Sequence, residues 1–550
     1  MTDIDGRLII GSSRVETDSR KDSLNPATLE TVGRYCLASG ELNRRAAEAA
    51  RNAFPAWKTV PSNEKKRLLL AAKFLLLERK DRIAALIAEE KGSPLTESLA
   101  VEVLGALEAL DYYARVAPRS LRPKKSGHHV ALFSHKKSAF HFSPLGPTLI
   151  ISPWNFPFLI PICDILGALT GGNTVVLRPS STTALIGLAI GELFLDAGFP
   201  PGVVNVVNCP IPEAEDMITD RIFQTVMFTG SVPVGKRIME LCSRNLTNLT
   251  LELGGKDPMI VCEDADLDRA AQGAVWGAFT NCGQSCASVE RVYVHEAVYE
   301  AFLRKVVDIT RSLRVGDPQS DTVDIGPMAS DGQRKLVLDH IREAEKKGAV
   351  IECGGGDGGH STGYYLMPTV LTGVDHSMKV MTEETFGPVL PIMPFSDDTE
   401  AVALANNSDY GLTASVWTRN RSRASRLAAE IEAGSVTIND HMYSFAEPRA
   451  IWGGVKQTGI GRSHGPFGLL YLVNIKYISR DFSRMKRQLW WFPYSPFFRH
   501  LLNKALFLFH HNRVPLRLHM LMQLIPHLPR ITRESPLGNY LKNIPRILKK

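Results

Sequence analysis

The sequence predicts an α/β fold in which a parallel sheet is wrapped by helices on both faces, and three observations carry that expectation. Short β-branched runs (TLIISPWNFP from Thr148, then NTVVLRP and VVNVVN) each end in Pro, Asn or Gly, with helix-compatible stretches such as Thr183 to Ala197 between them. The strand-like TVMFTG feeds directly into GSVPVGKRIMELC, a glycine-bounded turn that opens a helix and turns its first amides toward any nearby anion. At 550 residues the chain exceeds what one compact core holds, so two or three packed units are expected.

Upstream, residues 41–57 and 62–92 place apolar side chains at helical spacing, as in Leu68, Leu69, Ala72, Phe74, Leu75 and Leu77, and read as amphipathic helices. Between about Lys124 and His141 two short strand-like pieces, HHVALF and SAFHF, predict a hairpin projecting between larger units, a candidate contact with a partner subunit. After Leu251 a second alternation of helix and strand runs to about Asp440. Its GGGDGGH cluster at 354–360 reads as a surface hairpin tip, because no helix start follows to make it a phosphate cradle. The chain shows no internal repeat.

Hydrophobic residues at 44% and charged residues at 22% argue against disorder, collagen-like repeats and a polytopic membrane protein. The net charge of +7 is unevenly placed. Of 64 Lys/Arg and 57 Asp/Glu in all, residues 481–550 hold 13 and 2, so a mildly acidic body carries a basic tail. Eight dispersed cysteines without a CxxC pair point to a reducing compartment and hence the cytoplasm. MTDIDGRLII lacks the features of a secretory signal, and no apolar run approaches the eighteen or so residues of a spanning helix.

Three residue types mark the chemistry. Cys286 follows Gly283, Gln284 and Ser285, small and polar neighbours that allow close approach of a substrate, although an isolated cysteine is more often an inert buried residue. Glu252 ends an apolar strand just ahead of Gly254 and Gly255, where a glutamate is usually solvated or paired. Asn155 sits between the two prolines of PWNFP, where it would serve equally well as a turn cap. Together, SPWNFP at 152–157, LELGGKDP at 251–258, NCGQSCAS at 281–288 and EETFGPVLP at 383–391 resemble the aldehyde dehydrogenase superfamily. GYYLMPTV at 363–370, YGLTASVWT at 410–418 and GGVKQTGIGR at 453–462 extend the likeness over roughly residues 20–480.

The resemblance implies an aldehyde dehydrogenase-like fold: a Rossmann-type dinucleotide-binding domain, an α/β catalytic domain and a bridging oligomerisation hairpin. Its implied limits are 1–121 and 145–251 for the NAD(P)-binding domain, with 446–464 returning to it, and 252–445 for the catalytic domain. Segments 122–144 and 465–480 would serve oligomerisation in a homodimer or homotetramer, leaving 481–550 as the tail. By the same likeness Cys286 attacks the aldehyde carbonyl, Glu252 activates water against the resulting thioester, and Asn155 joins the Cys286 backbone N–H in an oxyanion hole. Family members that pass the acyl group to coenzyme A typically lack the glutamate, so release of a free acid is favoured over coenzyme A acylation. A catalytically silent scaffold protein is the other alternative, against which the four intact residues Cys286, Glu252, Asn155 and Glu384 argue.

On the cofactor side Glu384 resembles the residue that hydrogen-bonds the nicotinamide-side ribose, with Phe386 near the ring. Trp154, Gly230, Ser231 and Gly235 resemble the wall and pyrophosphate turn of the cleft. Lys456 reads as a surface cation on a loop, and Cys282 as structural although helical spacing would set it on the same side as Cys286. One departure concerns cofactor choice. Arg178 and Ser181 stand where the family usually has a lysine and a glutamate, and loss of that glutamate removes a barrier to a 2′-phosphate, so use of NAD or NADP is expected. No metal-ligand cluster is expected.

The tail, from Arg484 to Lys550, interleaves WWFPYSPFF, LLNKALFLFHH and VPLRLHMLMQLIPHLPRI with Arg and Lys. It reads either as an appendage folded on the acidic body or as a peripheral membrane attachment. In the second, preferred reading Trp490, Trp491, Phe492, Tyr494, Phe497 and Phe498 enter the headgroup boundary and Arg499, Lys504, Arg513 and Arg517 meet anionic lipid. Nucleic acid is disfavoured because no recognised binding module is present. Membrane attachment in turn favours medium- or long-chain aliphatic aldehydes, which partition into bilayers.

Overall fold

The β-branched runs pair into an eight-stranded sheet. Its order is Gly459–Ile460, Asn248–Glu252, Thr225–Thr229, Thr148–Ile151, Val175–Arg178, Val204–Val206, Leu8–Ile10, Ser13–Val15. The five strands from Asn248–Glu252 to Val204–Val206 are parallel, and antiparallel strands close both edges. Helices Leu159–Gly171 and Ala184–Asp196 are apolar almost all round because both are buried in the core on the sheet. The computed structural model describes residues 4–129, 133, 135–482, 488 and 490–534.

A second, mostly parallel sheet of seven strands follows, in the order Val350–Cys353, Thr369–Thr372, Val389–Phe395, Val289–His295, Asp257–Val261, Thr413–Trp417, Ser435–Ile438. It has its own apolar core, with helices Leu267–Phe279 and Tyr299–Ser312 contributing Phe279, Phe302 and Val306. Both sheets belong to one compact unit, drawn from residues 1–121 and 143–474. The glycine cluster at 354–360 forms the turn region after Val350–Cys353 and has Gly354, Gly355, Gly358 and Gly359 at positive φ, as a hairpin tip requires.

Three local expectations change. The helical pattern over 62–92 is two helices, Ser62–Glu78 and Lys80–Glu90, broken at Arg79, whose ψ of 7° leaves the helical range and whose guanidinium pairs with Asp196 at 2.8 Å. Cys282 lies on no α-helix: Leu267–Phe279 ends before it, and Asn281 and Cys282 adopt left-handed φ of 58° and 54°. Segment 465–480 divides, because Leu469 and Leu472 are buried in the core of the larger unit while residues from 475 onward belong to the smaller one.

The smaller unit, drawn from 122–142 and 475–550, contains a three-stranded sheet in the order Val473–Asp481, Lys136–Pro144, Lys124–Ser126, with Ser138 Oγ donating to Ser479 Oγ at 2.8 Å. SAFHF lies on the strand Lys136–Pro144, but its hairpin partner is Lys124–Ser126; of HHVALF, His128 and His129 lie on no strand and residues 130–132 lie outside the described residues. Helices Pro496–His510 and Val514–Leu524 follow, the first capped by Ser495, whose hydroxyl accepts from the Phe498 N–H at 3.1 Å. No helix among the described residues is long and apolar enough to cross a membrane. The parts of the expected tail at 484–487, 489 and 535–550 lie outside the described residues.

Candidate active site

The strand Asn248–Glu252 runs into two glycines because two other loops press on its end. A Cβ at Gly254 would sit 2.5 Å from Glu384 Oε2, and one at Gly255 would sit 2.1 Å from the Cys286 carbonyl oxygen. The Gly255 N–H donates to Glu384 Oε1 at 2.9 Å. The glycine pair therefore brings the Glu252, Glu384 and Cys286 segments into direct contact.

The left-handed turn at 281–282 folds the Cys286 loop back on Asn155. Asn281 Nδ2 donates to the Asn155 carbonyl at 2.9 Å and to the Gln284 carbonyl at 3.0 Å. Gln284 in turn accepts the Ala329 N–H at 2.9 Å. Cys282 points away into the core, with its sulfur 3.5 Å from Met328 Sδ, which suits a structural part. Cys286 is free and half-buried. Burial pushes its thiol well above the usual range, and the carboxyls of Asp257, Glu384 and Glu252 push it further. The resting sulfur is a thiol and requires a proton acceptor. His441 cannot serve: its Nε2 lies 2.9 Å from the Ala287 carbonyl, which only a protonated nitrogen can approach, and burial lowers its pKa to about 4. Beside Cys286, Ala287, Leu412 and Trp452 form a small apolar cluster against which Met442 and Phe445 also pack.

Glu252 is 7% exposed, and burial pushes its carboxyl up to about 8, with buried Asp164 adding to the rise. Ser463 Oγ donates to Glu252 Oε1 at 3.2 Å, while Oε2 is buried without a partner among the described residues. The GGVKQTGIGR segment closes over it, since a Cβ at Gly453 would lie 3.1 Å from Oε1. Asn155 is buried, its carbonyl held by Asn281 and its side-chain amide unbonded among the described residues.

On the other side of the Gly254–Gly255 turn, the Trp154 and Phe386 rings meet edge to face at 5.5 Å. Phe386 holds a positive φ of 52°, and a pair that the sequence reading missed keeps it there. The Thr385 and Phe386 N–H groups each donate to Glu290 at 2.9 Å, and Glu290 pairs with Lys256 Nζ at 2.6 Å in the protein interior. Burial also lifts Glu384 to about 8. Lys256 lies within the LELGGKDP motif, but Glu290, 34 residues on, carries no signal that pairs the two.

The remaining cofactor candidates lie at the carboxyl ends of parallel strands, where open α/β sheets bind ligands. Ser231 begins helix Val232–Ser243 without a side-chain cap, leaving the first amides unclaimed by side chains, and the Gly230 N–H donates to the Glu252 carbonyl at 3.0 Å. Gly235 also serves packing: a Cβ there would lie 2.5 Å from Leu253. Arg178 Nη2 donates to the Cys209 carbonyl at 2.9 Å, and exposed Ser181 accepts the Tyr35 hydroxyl at 3.0 Å through its carbonyl. Lys456 is no free surface cation. Its ammonium donates to the Asn406 and Ser408 carbonyls at 2.7 and 3.0 Å and pairs with Glu432 at 2.7 Å, tying two loops together. The uncapped helix start, the Trp154–Phe386 wall and the Glu384 carboxyl fit a dinucleotide.

The model of the aldehyde dehydrogenase family matches residues 14–478. A 4,4'-diapolycopene aldehyde oxidase of a Methylomonas species is 37% identical over 476 residues, covering 86% of this chain and 88% of the relative. Among solved structures, an NADP dependent enzyme of E. coli superposes with a TM-score of 0.84 at 33% identity, covering 87% of this chain and 98% of its own. An aldehyde dehydrogenase of Bacillus cereus in complex with NAD+ gives a TM-score of 0.83, also at 33% identity, with coverages of 87% and 97%.

Proposed function

The chain belongs to the aldehyde dehydrogenase family and is an NAD(P)-dependent oxidoreductase, and from that premise we propose that it converts an apolar aldehyde to the free carboxylic acid through a thioester on Cys286. The observation that supports this reading is that the Gly254–Gly255 turn sets the end of the Glu252 strand against the Cys286 loop, to which Asn281 ties the Asn155 turn. Ionised Glu252 takes the Cys286 proton, and the sulfur attacks the carbonyl carbon. The oxygen that becomes negative is held by the Asn155 amide and the Cys286 backbone N–H. Bound NAD or NADP supplies the acceptor for the aldehyde hydrogen and its electron pair. Trp154, Phe386 and Glu384 would hold that cofactor. Glu252, once it has released the first proton to solvent, removes a proton from water, which adds to the thioester carbon; the oxyanion collapses, the thiolate leaves, and the acid departs. A carboxyl raised to about 8 suits both proton transfers.

Trp452, Phe445, Met442 and Leu412 beside the sulfur support a medium- or long-chain aliphatic substrate, and the name of the diapolycopene aldehyde oxidase points the same way. Glu252 tells against acyl transfer to coenzyme A. Ser181 in place of an acid supports acceptance of NADP beside NAD. The three-stranded sheet of the smaller unit suits assembly into a homodimer or homotetramer, and eight free cysteines suit the cytoplasm.

The tail supports peripheral attachment to an anionic bilayer. Phe492, Tyr494, Val514, Leu518 and Met522 are all more than half exposed, and residues 490–531 contain cations but no Asp or Glu. The test of function is a series of aldehydes from acetaldehyde to long-chain alkanals, with NAD and NADP, followed by reduced-nicotinamide absorbance with Cys286→Ala as control. Activity rising with chain length supports the reading, and activity confined to the shortest aldehydes overturns the substrate class.

A further inference from the structure

Between helices Lys80–Glu90 and Leu104–Arg115 the chain makes a single turn, Leu95–Glu97, and then a π-helical segment, Ser98–Val103. Such a segment inserts an extra residue into a helix and recurs at functional sites. Here it sets two glutamates facing inward. Glu102 is buried, and its Oε2 accepts the N–H groups of Phe158 and Leu159 at 2.8 and 3.1 Å, the residues that follow the Asn155 turn. Glu97 Oε1 accepts the Thr280 hydroxyl at 2.6 Å and the Asn281 N–H, at the start of the Cys286 loop.

A buried lysine lies within electrostatic reach of both. Lys91 is 1% exposed, feels the charge of both glutamates, and donates to Ser93 Oγ at 2.9 Å; Ser93 donates to Asn281 Oδ1 at 3.1 Å. Asn281 closes the circuit onto the Asn155 carbonyl. One short segment thus grips both loops that the reaction must align, at the cost of burying Lys91 and Glu102 and half-burying Glu97, ionisable groups that the chemistry itself does not use.

We propose that Glu97 and Glu102 are positioning residues that fix the oxyanion-binding Asn155 turn against the Cys286 loop. The inference rests on the reading of Cys286 and Asn155 given above. Loss of the Glu97 grip lets the sulfur and the amide drift apart, and a misplacement of about 1 Å is worth as much as a hundredfold in rate.

Full-length Glu97→Ala, Glu97→Gln and Thr280→Val test it. With Glu97→Ala, kcat is expected to fall about tenfold or more while KM for NAD and NADP stays within about twofold. The rate at which iodoacetamide alkylates Cys286, mapped by peptide mass, is expected to change in step. Glu97→Gln keeps an acceptor for the Asn281 amide and is expected to recover part of the loss. If Glu97→Ala does not fold, the double variant Glu97→Gln/Thr280→Val carries the test, with about a fivefold loss expected. Folded protein whose kcat and Cys286 alkylation both stay within about twofold of the parent overturns the proposal. Alkylation requires no aldehyde, so a parent that oxidises no aldehyde counts against the proposed function and leaves this measurement standing.

Discussion

Around Cys286 most polar groups are buried and many are tied to partners drawn from distant parts of the chain, whereas along residues 490–531 many large apolar side chains face outward among cations. The first arrangement fixes atoms: a displaced amide or carboxyl there leaves a buried group without its partner. The second ties only some of its side chains, and suits a surface where area and charge matter more than register. The reacting centre should therefore answer sharply to single-atom changes, and the tail only to deletion.

The largest expected effect is that of Cys286→Ala, which should lower aldehyde oxidation by at least about a thousandfold. Next, Asn155→Ala should lower kcat by about 100- to 1000-fold, since it removes one donor to the oxyanion. Glu252→Gln should cost about a hundredfold or more in steady-state turnover. Glu252 also fixes a pH dependence. Its carboxyl titrates near 8, so below that value the fraction ionised, and with it kcat, should rise with pH and level off above about 8. In Glu252→Gln this limb should vanish; a parallel rise in the variant would assign it to another group. Removing one partner of the Lys256–Glu290 pair, as in Glu290→Ala, should cost about 3–5 kcal/mol in urea unfolding because it strands a buried charge. At the small end, deletion of 484–550 should leave turnover of a short soluble aldehyde within about twofold while abolishing sedimentation with anionic vesicles. Vesicle binding that survives the deletion would erase the contrast between the two regions.

Much of this organisation was legible in the sequence, for physical reasons. The buried parallel strands Thr148–Ile151, Val175–Arg178 and Thr225–Thr229 read as apolar runs because both of their faces are covered. Asn155, Glu252, Cys286 and Glu384 stood out because each lies in a compact motif. The groups that hold them did not. Glu97 meets Thr280 across 183 residues, and Glu290 meets Thr385 across 95, separations over which local pattern carries no pairing information. The turn at Asn281 and Cys282 was hidden because four-residue spacing mimics a helix while the backbone is left-handed. The packing part of Gly235 against Leu253 was likewise illegible, since a glycine demanded by helix packing looks the same in sequence as one demanded by a phosphate.

The central claim is that one sulfur carries the acyl group until Glu252 delivers water. It is tested most directly by mixing Glu252→Gln protein with a medium-chain aldehyde and NAD and measuring intact and peptide mass. Because the variant also lacks the acceptor of the thiol proton, the account expects slow formation of about one equivalent of reduced nicotinamide, matched by one acyl group on the peptide that contains Cys286. Reduced nicotinamide formed with no adduct, or with the adduct on a different cysteine, would contradict it.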